Sequence, residues 1–121
     1  MAAPVRDIVE RSFGFAKRVV RLVNAMPRSV AGDAIARQVM RAGCSVGANV
    51  EEAQAASTKK EFTRRMENAQ SEAREVLYWL RLVAECGLVP RARLAGLLKE
   101  ADELVRIITA IAKRSRGSRA G

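Results

Sequence analysis

Between Gln38 and Leu82 the chain carries two long helical patterns separated by a short polar break. No other stretch limits the fold as strongly. Phe62, Met66, Ala69, Ala73, Val76, Leu80 and Val83 alternate spacings of 4 and 3 over three heptads. That is the period of a helix burying one seam in a bundle. Ile35, Val39, Ala42, Val46, Val50 and Ala53 form a second stripe, spaced 4, 3, 4, 4 and 3. Its middle is crowded with the small residues Ala42, Gly43, Cys44, Ser45, Gly47 and Ala48. A helical glycine costs about 1 kcal/mol relative to alanine. Two of them so close together predict another helix approaching closely at this point, the alternative being that they are merely tolerated.

Flanking patterns complete a set of four. The first helix is expected from about Val5 to Ala25, with Pro4 in its first turn and Pro27 just beyond its end. The second runs from Val30 or Asp33 to Ala55. The third starts at Thr58, which forms a capping box with Glu61, and stops at Gly87 ahead of Pro90. The fourth runs from Arg91 to Arg114, its stripe containing Leu94, Leu97, Ala101, Leu104, Ile108 and Ile111. Short connections place sequential helices antiparallel. The expected fold is all-α: an antiparallel up-down-up-down four-helix bundle over residues 1–114, with residues 115–121 a disordered basic tail. A length of 121 residues suits one core and one domain.

Several function classes are disfavoured. There is no histidine, which removes the usual general base and the Glu-x-x-His element of di-metal bundles. Neither a nucleophile elbow nor a phosphate-binding glycine loop is present. We therefore expect no catalytic residues, no metal site, no cofactor and no enzyme. Cys44 and Cys86 read as buried free thiols. No apolar run of 18 residues suggests a membrane span, and no secretory pattern opens the chain, so a cytoplasmic protein is expected.

The net charge is +9, which favours polyanions as partners. In the expected topology the starts of the first and third helices share one end of the bundle with the tail. That end gathers Arg6, Arg11, Lys59, Lys60, Arg64, Arg65, Lys113, Arg114, Arg116 and Arg119. Asp7, Glu10, Glu61 and Glu67 leave a positive excess there. Few aromatics interleave with these charges, so RNA or DNA would be held by its phosphates, with little base selectivity. The competing expectation is a protein-interaction scaffold that never touches nucleic acid.

A polar ladder of Gln38, Arg41, Ser45, Asn49 and Glu52 flanks the apolar stripe of the second helix. In the third helix Glu72, Glu75 and Trp79 flank the heptad core, and Tyr78 and Leu82 extend that side. A bundle needs one buried stripe per helix, so a second, partly apolar face predicts an oligomer interface. Arg41 and Asn49 are expected to hydrogen-bond Glu52, Glu72 or Glu75 across helices or subunits.

The segment QVMRAGCSVGANVEEAQAAS, with Gln38, Arg41, Ser45, Gly47, Asn49, Glu52 and Ala53, resembles the signature of the bacterial four-helix-bundle proteins associated with intervening sequences in large-subunit rRNA genes. KKEFTRRMENAQSEAREVLYWLRL resembles that family's next segment through Phe62, Ala69, Glu72, Ala73, Glu75, Tyr78, Trp79 and Leu80. The resemblance covers about residues 30–90. Ala42, Cys44 and Val76 depart from it in ways that do not threaten the fold. It implies a homopentamer whose motif residues are structural, with no catalytic set. A related branch, the accessory proteins of diversity-generating retroelements, looks like a basic pentameric barrel binding nucleic acid and a reverse transcriptase. The implied partners are copies of the chain, RNA or DNA, and a reverse transcriptase or other protein.

Overall fold

The computed structural model describes the backbone of residues 2–120 and the side chains of residues 7–117. Four helices make up the fold: α1 (Ala2–Ala25), α2 (Val30–Gln54), α3 (Lys59–Glu85) and α4 (Arg91–Ala120). No strand occurs among the described residues. The helix ends follow local chemistry. The Ser29 hydroxyl accepts the Gly32 N–H at 2.9 Å, and the Thr58 hydroxyl accepts the Glu61 N–H at 3.1 Å. Each satisfies a donor that its own helix leaves orphaned. At the end of α3, Gly87 takes φ +67. The Gly87 and Leu88 N–H groups then reach back to the carbonyls of Ala84 and Val83. This paired closure needs a left-handed residue, which glycine supplies without strain.

Packing is cyclic. α2 contacts α1 and α3, α4 contacts α3 and α1, and the α1–α4 seam is the thinnest. α1 and α3 therefore lie on one diagonal, α2 and α4 on the other. Every seam is antiparallel. Arg41 of α2 meets Glu72 and Glu75 of α3, whereas Glu52, further along α2, meets Arg65, earlier in α3. The predicted stripes form the core. Val39, Ala42, Val46 and Val50 of α2 and Met66, Ala69, Ala73, Val76 and Leu80 of α3 are buried against Ile8, Phe15 and Val19 of α1 and Leu94, Leu104 and Ile108 of α4. No helix of the described residues is long and apolar enough to cross a membrane.

Two expectations are corrected. Residues 115–117 are not a loose tail: α4 continues through them, and Ser115 is buried. The core stripe of α4 passes from Ile108 through Ala112 to Ser115 in steps of four and three, so the helical register outlasts its apolar residues. Thr63 faces Ser115 across the α3–α4 seam. Its hydroxyl donates to the Lys59 carbonyl at 2.9 Å and is hydrogen-bonded to the Ser115 hydroxyl. With the Thr63 proton committed, Ser115 is the donor of that pair. Arg116 adds an ion pair to Glu67 at 2.9 Å. The second correction concerns Cys86, which caps α3 at an exposed position, while Cys44 is half-buried. Burial pushes the Cys44 thiol above its ordinary value.

The glycines of α2 do bring a second helix close. A Cβ at Gly43 would lie 2.8 and 2.9 Å from the two γ-methyls of Val19, and one at Gly47 would lie 3.2 Å from the Ser12 carbonyl oxygen. Valine is stiff at χ1 within a helix, so Val19 has no good rotamer to retreat into. We predict that Gly43→Ala lowers stability by about 1 kcal/mol or more through overpacking, despite its better helix propensity. Gly14→Ala, with nothing within 4 Å of the added carbon, should stabilise by up to about 1 kcal/mol. Urea unfolding midpoints decide both, and Val19→Ala in the Gly43→Ala background should recover part of the loss.

Candidate nucleic-acid interface

The antiparallel topology brings the start of α1, the turn between α2 and α3 and the end of α4 to one end, as the basic-end expectation requires. Much of the charge there is answered by local acids. Arg64 pairs with Glu61 at 2.7 Å. Arg65 reaches Glu61 at 3.1 Å and Glu52 at 4.0 Å, and Arg116 is held by Glu67. Hydrogen bonds from Arg64, then Arg65, hold the Glu61 carboxyl below its ordinary range. Lys59, Lys60, Lys113 and Arg114 are exposed. The side chains of Arg6 and Arg119 lie outside the described residues.

Arg11 belongs to a seam instead. Its guanidinium grips Glu100 through two hydrogen bonds, of 3.0 and 2.7 Å, and also donates to Glu103 at 2.7 Å. Those bonds raise its pKa further above the ordinary arginine value. The triad is about three-quarters buried at Arg11 and Glu100, so it bolts α1 to α4 where apolar contact is thinnest.

The excess charge sits mainly at the other end. Residues 15–45 and 70–99 form the half of the bundle holding the α1–α2 and α3–α4 turns. They contain eleven Lys and Arg against four Asp and Glu, a net of +7; the rest of the chain has eleven against nine, a net of +2. Arg18, Arg21, Arg37, Arg74, Arg81 and Arg93 in that half have no carboxylate within 4.0 Å among the described residues, although Arg37 and Arg81 lie close enough to Asp33 and Glu85 to lower their pKa values. The sequence reading missed this because it counted cations by helix end and did not pair them with acids.

One cluster in that half has a definite shape. Arg18, Arg21 and Arg93 wall a groove of about 240 Å³ between α1 and α4, floored by Leu22, Leu94 and Leu97. A periodic signal for it was present. On α4, Arg93, Gly96, Glu100 and Glu103 recur at 3, 4 and 3, and on α1, Arg11 and Arg18 stand seven residues apart. Each set marks one helix face.

The ladder along α2 and α3 forms a polar network on the outer rim of their seam. Arg41 donates to Glu72 at 3.1 Å, to Glu75, and weakly to Gln38 at 3.4 Å. The Trp79 indole N–H donates to Glu75 at 3.1 Å. These bonds, Trp79's first and Arg41's second, lower the Glu75 pKa. Asn49 departs from expectation: its amide bonds the Ser45 carbonyl in its own helix at 3.0 Å. Glu52 is likewise drawn to Arg65 rather than to Arg41 or Asn49. A backbone carbonyl one turn back on the same helix is nearer for a short amide than a carboxylate on the next helix. Tyr78 stacks edge-on to Trp79, 5.0 Å between centroids, and is exposed. Among the described residues, no group of three or more His, Cys, Asp or Glu could hold a metal ion.

A family model described as 23S rRNA-intervening sequence protein matches residues 6–110. Among solved structures, a protein of unknown function from the S23 ribosomal protein family of Bacteroides thetaiotaomicron is similar, with a TM-score of 0.84 and 26% identity over 91% of this chain and 98% of that one. No curated protein matches the chain.

The Glu75 geometry generates a titration prediction. A carboxylate whose pKa is depressed by folding stabilises the native state above its unfolded pKa of about 4.3. That contribution disappears as pH falls through the lower native value. Trp79→Phe removes the first cause of the depression and should move the Glu75 titration upwards, as seen by carboxyl-carbon NMR. An unchanged midpoint would show that the indole bond does not form.

Proposed function

Because the chain belongs to the 23S rRNA-intervening sequence protein family, we propose that it is a non-enzymatic, self-associating accessory protein that binds RNA or DNA by phosphate contacts on its basic surface. The observation carrying this reading is the uneven charge, net +7 in one half of the bundle against +2 in the other. A field of one sign attracts a polyanion over distances that a balanced surface does not. In this reading the turn-bearing half supplies most of the attraction. Lys60, Lys113 and Arg114 at the opposite end, exposed and without carboxylate partners among the described residues, add a second, weaker contact.

Assembly into a ring, a pentamer by family resemblance, is the second part of the proposal. A ring needs two different patches on each copy, because its interfaces are head-to-tail. Two exposed apolar patches support it. Phe13, 60% exposed, stands beside a shallow apolar depression lined by Ala16, Cys44 and Ala48. Tyr78, 54% exposed, stands on α3, diagonally opposite α1. The same patches support the alternative, a scaffold for a reverse transcriptase or another protein without a nucleic-acid role.

Binding to labelled single- and double-stranded RNA and DNA across a salt series tests the first part. The expected result is measurable affinity at about 50 mM salt and a steep linear fall of log K with log salt. No binding at that salt overturns the nucleic-acid reading and leaves the scaffold. Light scattering coupled to size exclusion tests the second part: the unaltered protein should be a multimer, and Phe13→Glu should dissociate it. A monodisperse monomer for the unaltered protein would sink the ring.

A further inference from the structure

We infer that the arginine-walled groove between α1 and α4 is a subsite for a backbone phosphate of a nucleic-acid strand, an inference that rests on the nucleic-acid reading above. Of the fifteen arginines with described side chains, eight have a carboxylate within 4.0 Å. Of the seven that do not, Arg18, Arg21 and Arg93 wall one groove. The α1–α4 seam contains its own control. One stretch of it places Arg11 against Glu100 and Glu103. Further along, the same two helix faces place Arg18 against Gly96 and Arg93, with no acid lining the groove. Glu100, the acid nearest in sequence to this part of α4, is already held by Arg11 at 2.7 Å, and Glu85, before the helix, by Arg91 at 2.6 Å.

Three guanidinium groups facing one space repel each other unless an anion joins them. The groove suits that anion. Leu94 and Leu97 are buried beneath it, and an apolar floor strengthens charge interactions above it relative to open water. Guanidinium groups present forked donors that match phosphate oxygens and are only weakly hydrated. Gly96 supplies a second, independent observation. A Cβ there would lie 2.9 Å from an Nη atom of Arg18. Glycine in this exposed helix position costs about 1 kcal/mol against alanine, and what its bare backbone accommodates is the Arg18 guanidinium.

A phosphodiester and free orthophosphate share this chemistry, and the test separates them. The probe is a labelled single-stranded oligoribonucleotide titrated with the unaltered protein, with Arg18→Gln/Arg21→Gln/Arg93→Gln, and with Arg37→Gln/Arg74→Gln/Arg81→Gln, which loses the same charge elsewhere in the same half. The groove variant should lose tenfold or more in affinity and about 0.7 unit of salt slope, as one lost single-strand phosphate contact implies. The control variant should lose distinctly less. Equal losses overturn the groove while leaving diffuse polyanion binding intact, and no binding by the unaltered protein overturns both. Arg93→Gln alone changes one exposed side chain of the groove, so it reports on the groove even where the triple variant folds poorly. It should weaken RNA binding several-fold, and unchanged affinity would count against the subsite. Orthophosphate that displaces the RNA at about 1 mM and constant ionic strength would assign the groove to a small free anion and overturn the strand assignment.

Discussion

Much of the structure depends on how closely α1 can lie on α2. Gly43 faces Val19 and Gly47 faces Ser12, so the α1 face carrying residues 12 and 19 sits against bare α2 backbone. The neighbouring face, carrying residues 11 and 18, is thereby turned towards α4. One residue of offset separates the contacts that pack α1 from those that charge its other seam. Larger side chains at 43 and 47 would push α1 away from α2 and shift the Arg11 triad and the Arg18 wall together. The helix propensity lost at the two glycines is recovered in a seam that positions everything on the far side of α1.

The bundle itself was legible because its signals are local and redundant. Heptad stripes, the Thr58 cap and a glycine stop mark the helices independently, and they agree. The end of α4 was not legible, because its core stripe continues in Ser115. A buried serine needs a hydrogen-bond partner, and for Ser115 that partner is Thr63, 52 residues away in sequence. The close approach at Gly43 was legible because glycine in a helix asks for an explanation. Asn49 and Glu52 misled because a wheel shows which face a polar group occupies, not which partner is nearest along that face.

Charge was the least legible property. Counting cations at each end of the bundle favoured the end where Arg64, Arg65 and Arg116 turn out to be paired. Pairing depends on which acid comes within about 4 Å, and that depends on register across seams, which composition does not contain. Once pairs are removed, the excess lies towards the α1–α2 and α3–α4 turns. A bundle of this kind hosts many roles, and what distinguishes this one is that residual charge and the family to which the chain belongs.

The α1–α4 seam has one further consequence, in the order of events during folding. The other three seams join helices that follow each other in the chain and close after short loops. This seam joins residues about ninety positions apart, such as Arg11 and Glu100, and it is also the least extensive. Loop entropy and sparse contact both delay it. α1 is therefore expected to dock through α2 first, with the seam to α4 closing last and opening first. A ligand bridging Arg18 and Arg93 binds the closed bundle alone, so by mass action it would slow the first opening step of the whole molecule.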